Sequence, residues 1–304
     1  MFRLVLSIFL FAISVVVIGP QQAMAGEEMK GSTSSYMVPF NRLSLPVYAG
    51  QEEGFSIHGN VGIPSAYIWR GIDLTAEPAF VYGDIILGYK GFYGSTWVIS
   101  QSDRGGIPPR FQVAVEVDWS VGYANNFKNM YFDLGGTWHT FLHDNKANFA
   151  EVYAGLSYDW VVTPFVKGYY AVNDNLNLTP ALQLPGVLPG IPGGLRQILK
   201  GDLWVEAGLR TKVIGFDLLA AVAFASYDSD PVLRPLTVPP IAFFEDGLNL
   251  ITLGISRDIQ IDETTMTLYV IGTIPTAASD LLGNKHIYGG PAAEDLVIGM
   301  NIAF

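Results

Sequence analysis

Most of this 304-residue chain alternates apolar and polar side chains with a period of two. That is the spacing at which an extended strand sends neighbouring residues to opposite faces. In the segment from Val113, the residues Val113, Val115, Val117, Trp119, Val121 and Tyr123 share one face, and Ala114, Glu116, Asp118, Ser120 and Gly122 share the other. One face suits lipid and the other suits water. The pattern returns at Leu203, Val205, Ala207 and Leu209 against Trp204, Glu206, Gly208 and Arg210. It returns again at Val152, Ala154, Leu156, Tyr158 and Trp160 against Glu151, Tyr153, Gly155, Ser157 and Asp159. Half of the residues are hydrophobic (50%), yet no apolar run after the N-terminal stretch can cross a bilayer as a helix. The best candidate, Val213 to Ala225, is too short and is interrupted by Asp217.

Segments of this kind fall near residues 54–70, 79–90, 91–101, 111–124, 129–141, 149–160, 162–173, 201–212, 214–227, 246–258, 263–274 and 294–304, about twelve strands in all. Their connections alternate in length. KGF, NNFKN, WVV, KVIG and QIDE are brief, whereas QSDRGGIPPR and FLHDNKANF are longer. Short turns at one end and long loops at the other are the mark of an outer-membrane barrel, and a soluble sandwich has no reason to sort its turns this way. The expected fold is therefore all-β, a transmembrane antiparallel up-and-down β-barrel of about twelve strands. A closed barrel gives every backbone group in lipid a partner on a neighbouring strand. The last segment carries Leu296, Ile298, Met300, Ile302 and Phe304 on one face, and its terminal aromatic is expected to act as the assembly signal read by the barrel-assembly machinery. As an uncovered edge in a soluble sheet, that strand would invite aggregation.

The N-terminus supplies a compartment. Arg3 precedes an apolar stretch from Leu4 to Ile18, followed by Pro20 and the small-residue site Ala23-Met24-Ala25. This pattern predicts a signal peptide over residues 1–25, cleaved after Ala25, and export to a Gram-negative outer membrane. Residues 26–53 lack periodicity and are expected to form a periplasmic linker, leaving residues 54–304 as the barrel. With no Cys in the chain, a disulfide, a lipid-anchoring Cys and a thiolate metal site are all excluded. Removing Arg3 with the signal leaves 17 − 1 = 16 basic against 28 acidic residues, a net charge of −12 that disfavours nucleic acid as a partner.

The stretch SAYIWRGIDLTAEPAFVYGDI, Ser65 to Ile85, followed by GFYGSTWVIS, Gly91 to Ser100, resembles the start of the TorF family of porins. The matching positions are Tyr67, Trp69, Arg70, Gly71, Thr75, Pro78, Ala79, Phe92, Tyr93, Gly94 and Trp97. The likeness continues through EVDWSVGYANNF, YFDLGGTWH and EVYAGLSYDW, and covers about the first half of the barrel. It implies an outer-membrane barrel of porin type and names no substrate.

Within the alternation, Asp84, Glu116, Asp118, Asp133, Glu151, Asp159, Lys167, Glu206, Arg210 and Asp217 fall on the water-facing side and are the expected pore-lining residues. A charge turned to lipid at mid-depth would cost about 2–4 kcal/mol for Arg or Lys. Arg70 is expected at the mouth, as a selectivity residue or paired with a rim carboxylate such as Asp73 or Asp84. Trp69, Trp97, Trp138 and Trp160 lie near strand ends and are expected in the interfacial aromatic girdles.

An enzyme requires a nucleophile, a base and an orienter within reach. His139 near Asp133 offers at most a dyad, His139 and His143 do not share a helix face, and no G-x-S-x-G occurs. No catalytic residue, cofactor or metal is expected. The Pro-rich loops Leu176 to Leu199 and Asp230 to Phe244 are unusually apolar and are expected to pack on each other, with folding into the mouth or a role in admitting apolar solutes as the alternatives. Together these features point to passive diffusion of small solutes with a weak cation preference. A barrel-borne hydrolase and a structural barrel with a filled lumen are the alternatives. Outer-membrane lipid is the expected surrounding.

Overall fold

The computed structural model describes residues 54–70, 72–73, 81–102, 113–142, 148–173, 200–226, 247–275 and 295–304. The expected signal peptide, the linker, His143 and both Pro-rich loops lie outside the described residues. Among the described residues there are fourteen strands: β1 (Phe55–Pro64), β2 (Ile68–Trp69), β3 (Ile72–Asp73), β4 (Tyr82–Tyr89), β5 (Phe92–Ser102), β6 (Val113–Phe127) and β7 (Met130–Phe141), then β8 (Phe149–Tyr158), β9 (Thr163–Ala171), β10 (Leu203–Val213), β11 (Phe216–Ser226), β12 (Gly247–Ile261), β13 (Thr264–Pro275) and β14 (Asp295–Ala303). Twelve of them close an antiparallel barrel in the order β1-β14-β13-β12-β11-β10-β9-β8-β7-β6-β5-β4, while β2 and β3 pair only with each other.

The alternation read from the sequence becomes the two faces of this wall. Directly paired residues share a face, so the ladders carry one lumen-facing row around the ring. Asp84 faces Trp97, Trp97 faces Asp118, and Asp118 faces His139. Likewise Asp133 faces Gly155, Gly155 faces Lys167, and Lys167 faces Glu206. The other row points outward and is apolar: Val61, Ile85, Val98, Val121, Leu134, Val152, Leu209 and Ile298 are all exposed large hydrophobics. A contiguous apolar surface of this kind marks an interaction face. Inside, several aromatics lie across a facing glycine. Tyr82 covers Gly62, Tyr93 covers Gly122 and Tyr269 covers Gly299, where a Cβ would collide with the ring.

The short connections gather at the end of the ring where β1 begins and β14 finishes. At Lys90-Gly91 (φ 49° and 88°) and Ile214-Gly215 (φ 50° and 77°), both central residues take positive φ. That is the two-residue hairpin geometry whose twist matches the flanking strands.

One element departs from the expected 54–70 strand. β1 ends at Pro64, and Ser65 turns the chain, its N–H donating to Ile298 O (2.8 Å) while its Oγ accepts from Ile298 N–H (3.0 Å). The following residues are buried against lumen-facing side chains, Tyr67 against Tyr82 and Ile99, and Ile68 against Tyr269, Ile271 and Val297. Strand alternation alone does not distinguish this inward turn from three more residue pairs of β1.

The turn also overturns two girdle assignments. Trp69 packs edge-on to the lumen-facing Phe149 (6.3 Å between ring centroids), and Trp97 packs on Tyr67 and Tyr82 (5.7 and 6.1 Å). Trp97 sits inside because its register pairs it with Asp84 and Asp118 of the lumen row, and Trp69 because it lies on the inserted segment itself. Trp138 and Trp160 are exposed on the outer face and beside a short turn, respectively.

Candidate functional site

The richest chemistry lies on the lumen wall formed by β6, β7 and β8. The Lys128-Asn129 turn pairs Phe127 with Met130, and this register sets Asp118 opposite His139. Glu116, two residues before Asp118, emerges on the same side. Glu151 on β8 pairs with Thr137, one diagonal step from His139.

His139 is the hub. Its Nδ1 lies 3.1 Å from Asp118 Oδ1 and 3.5 Å from Glu116 Oε1, and its Nε2 lies 3.3 Å from Glu151 Oε2. The imidazole is stacked on Phe149, with 4.1 Å between centroids and 10° between planes, which fixes its orientation. The inserted segment then delivers Arg70, whose Nη2 donates to Glu151 Oε1 at 2.5 Å. Its guanidinium stands 4.6, 5.5 and 5.7 Å from the ring centroids of Trp69, Trp204 and Tyr169. A planar cation can be desolvated in this way because the aromatic faces replace part of its hydration.

A second polar layer adjoins the first. Asp133 Oδ1 accepts from Tyr93 (2.8 Å) and Oδ2 accepts from Lys167 Nζ (3.4 Å), while the Tyr93 and Tyr153 hydroxyls are in contact. Lys167 also stands 4.4 Å from the Tyr153 ring centroid. Trp204 Nε1 donates to Glu206 Oε1 at 2.7 Å. Glu116, Asp118, Asp133, Glu151, Lys167 and Glu206 are all 4% exposed or less, so water has little access to them. Buried charges need such partners, since an uncompensated one costs several kcal/mol.

Of the expected lining residues, Asp84, Glu116, Asp118, Asp133, Glu151, Lys167, Glu206, Arg210 and Asp217 face the interior. Arg210 lies over the Phe165 ring (4.6 Å), and Asp217 sits 3.7 Å from Lys212 near the short-turn end. Asp159 does not line the lumen. It follows the end of β8 and is exposed in the turn, with its backbone N–H donating to Asn129 O (2.6 Å). Arg70 pairs with Glu151, the third residue of β8 counted from the long connection that precedes that strand. His139 is drawn to Glu116, Asp118 and Glu151, leaving Asp133 to Lys167 and Tyr93. Sequence reasoning missed His139 as the centre of this cluster. The two-residue turn carried the signal, because counting back from Phe127 and forward from Met130 sets Asp118 against His139.

Residues 48–177 match a family model described as "Bacterial protein of unknown function (Gcw_chp)". This stretch spans β1 to β9 and includes Arg70, Glu116, Asp118, His139 and Glu151. No curated protein matches the chain. Among solved structures, the chain is similar to "KdgM porin" (7% identity, TM-score 0.42, covering 82% of this chain and 97% of that one) and to "NanC porin" (9%, 0.48, 82% and 99%).

Proposed function

We propose that the chain is an outer-membrane channel of porin type, passing small solutes by diffusion through a lumen narrowed by the inserted residues 65–70. The observation that carries this reading is a closed ring with an apolar outer face and an ionisable inner one. An apolar outer face calls for lipid, and a polar inner face borders the lumen along which solutes would pass. The resemblance to TorF-family porins supports the same placement. Transport is preferred over catalysis because the buried histidine is flanked by carboxylates rather than by a nucleophile.

The inward carboxylates Asp84, Glu116, Asp118, Asp133, Glu151, Glu206 and Asp217 face the inward cations Arg70, Lys167, Arg210 and Lys212. An acidic excess concentrates cations, and salt weakens the bias as the Debye length falls from about 30 Å at 0.01 M to about 3 Å at 1 M. The channel is therefore expected to prefer cations weakly, most of all in dilute salt. Conductance and reversal potential of the purified protein in a planar bilayer test this. A small conductance that grows in Arg70→Ala supports a constricted channel. No conductance in either form favours the filled structural barrel, a reading that the deep burial of the lumen charges also supports. Anion selectivity, or a selectivity unchanged in the double variant Glu116→Gln/Asp118→Asn, refutes the charge argument.

A further inference from the structure

We infer that Glu116, Asp118 and His139 form a binding site for a divalent transition-metal ion of zinc type on the lumen wall. The three side chains are buried, and one ligand atom from each can be chosen so that all lie within 4.8 Å of one another. An ion bound 2.0–2.2 Å from nitrogen and oxygen ligands holds neighbouring ligand atoms roughly 3.0–3.6 Å apart. The Nδ1 separations of 3.1 and 3.5 Å from the Asp118 and Glu116 oxygens fall in that range.

Carboxylates in proximity would not by themselves suggest a ligand, but His139 does. It is 3% exposed, and neither ring nitrogen has a hydrogen-bond partner. A proton on Nδ1 should draw the Asp118 or Glu116 carboxylate into line as an acceptor, and no such bond is formed. A metal ion satisfies the nitrogen lone pair and both carboxylates at once. The other side of the ring is arranged to match. Glu151 Oε2 stands 3.3 Å from Nε2, off hydrogen-bond alignment but close enough for a small rotation of the carboxylate to take the Nε2 proton, which would leave Nδ1 as the donor to the metal. Arg70 fixes Glu151 in turn. A carboxylate behind a ligating histidine sets its tautomer and raises its basicity. Imidazole with two carboxylates favours zinc-like ions over magnesium or calcium, which take oxygen ligands. Three protein ligands leave a further coordination position for water or a solute.

The test uses the full chain, folded in detergent without a histidine tag, stripped with chelator and titrated with Zn²⁺ calorimetrically and with Co²⁺ by visible absorption. One ion per chain is expected, with cobalt bands of low-symmetry coordination. His139→Gln and Asp118→Asn should weaken binding by about 100-fold or more. Glu151→Gln should weaken it by about 10–100-fold, the usual effect of removing a carboxylate behind a ligand. His58→Ala, on another strand, should leave it unchanged. Folding of each variant is checked by heat-modifiable migration, and Glu116→Gln replaces any variant that does not close. A wild-type barrel that takes up no ion overturns the inference and leaves His139 as the centre of an ion-pair cluster. Stoichiometric binding that survives loss of His139 overturns it equally, by placing the ion elsewhere.

Discussion

The Arg70–Glu151 pair joins the inserted segment to the barrel wall, and its worth can be measured. Replacing Arg70 with Met keeps much of the contact with Trp69, Tyr169 and Trp204 but removes the charge from a carboxylate that is 3% exposed. Breaking a buried ion pair from one side costs about 3–5 kcal/mol. His139 remains 3.3 Å from the same carboxylate and offsets part of that, so the expected loss for Arg70→Met is about 3 kcal/mol, at the low end of that range. Glu151→Gln strands the guanidinium, but three ring faces still receive it, and the loss should be about 2 kcal/mol. The double variant should lose about 3 kcal/mol rather than 5, which gives a coupling of about 2 kcal/mol. Urea unfolding in lipid vesicles, followed by tryptophan fluorescence, measures all four corners of the cycle. A coupling under about 0.5 kcal/mol would refute the reasoning, because that is the range of a solvated surface pair.

Further outcomes follow from the walls and ends of the ring. Val121→Arg, outward-facing at mid-strand, should cost about 2–4 kcal/mol of folding stability in lipid, and a stability equal to wild type would mean that this face does not meet lipid. Ile214, a β-branched residue at φ 50°, should be replaceable by Asn with a gain of about 1 kcal/mol, and a loss on urea unfolding would count against strain in that turn. Phe304→Asp should lower the heat-modifiable folded fraction in the membrane while synthesis and export are unchanged; equal folded yields would remove the assembly-signal argument.

All twelve wall strands were legible because a period of two survives wherever one face of the wall is apolar and the other polar. The faces of Glu116, Asp118 and Glu206 followed from the same rule. Trp97 was misplaced because β5 carries large residues on both faces, Phe92 and Val98 outside and Tyr93 and Ile99 inside, so proximity to a strand end said nothing about direction. Trp69 was misplaced for a different reason. The residues after Pro64 are as apolar as a strand, and it is the hydrogen bonds between Ser65 and Ile298 and the packing of Ile68 on Tyr269, Ile271 and Val297 that show that the chain has left the wall. The grouping of His139 with Glu151 needed register across two hairpins, of which only the first has a two-residue turn that can be counted.

The ring is fastened by a single clasp. Every other wall ladder joins strands that follow one another around the wall as hairpins or loop-linked neighbours, whereas β1 meets β14 across nearly the whole chain. That ladder runs only from Asn60–Ala303 to Pro64–Gly299, extended by the mutual backbone bonds of Gly59 and Phe304 (2.9 Å each). The β12–β13 ladder, by contrast, runs from Leu250–Pro275 to Ile261–Thr264. The hairpins can each form as soon as their two strands exist, but the cylinder exists only after the clasp shuts, so closure is the last event of assembly. By the same logic it is the first to fail under a sideways pull. Opening there would yield a curled sheet with two bare edges, the form from which a second copy could add its own strand.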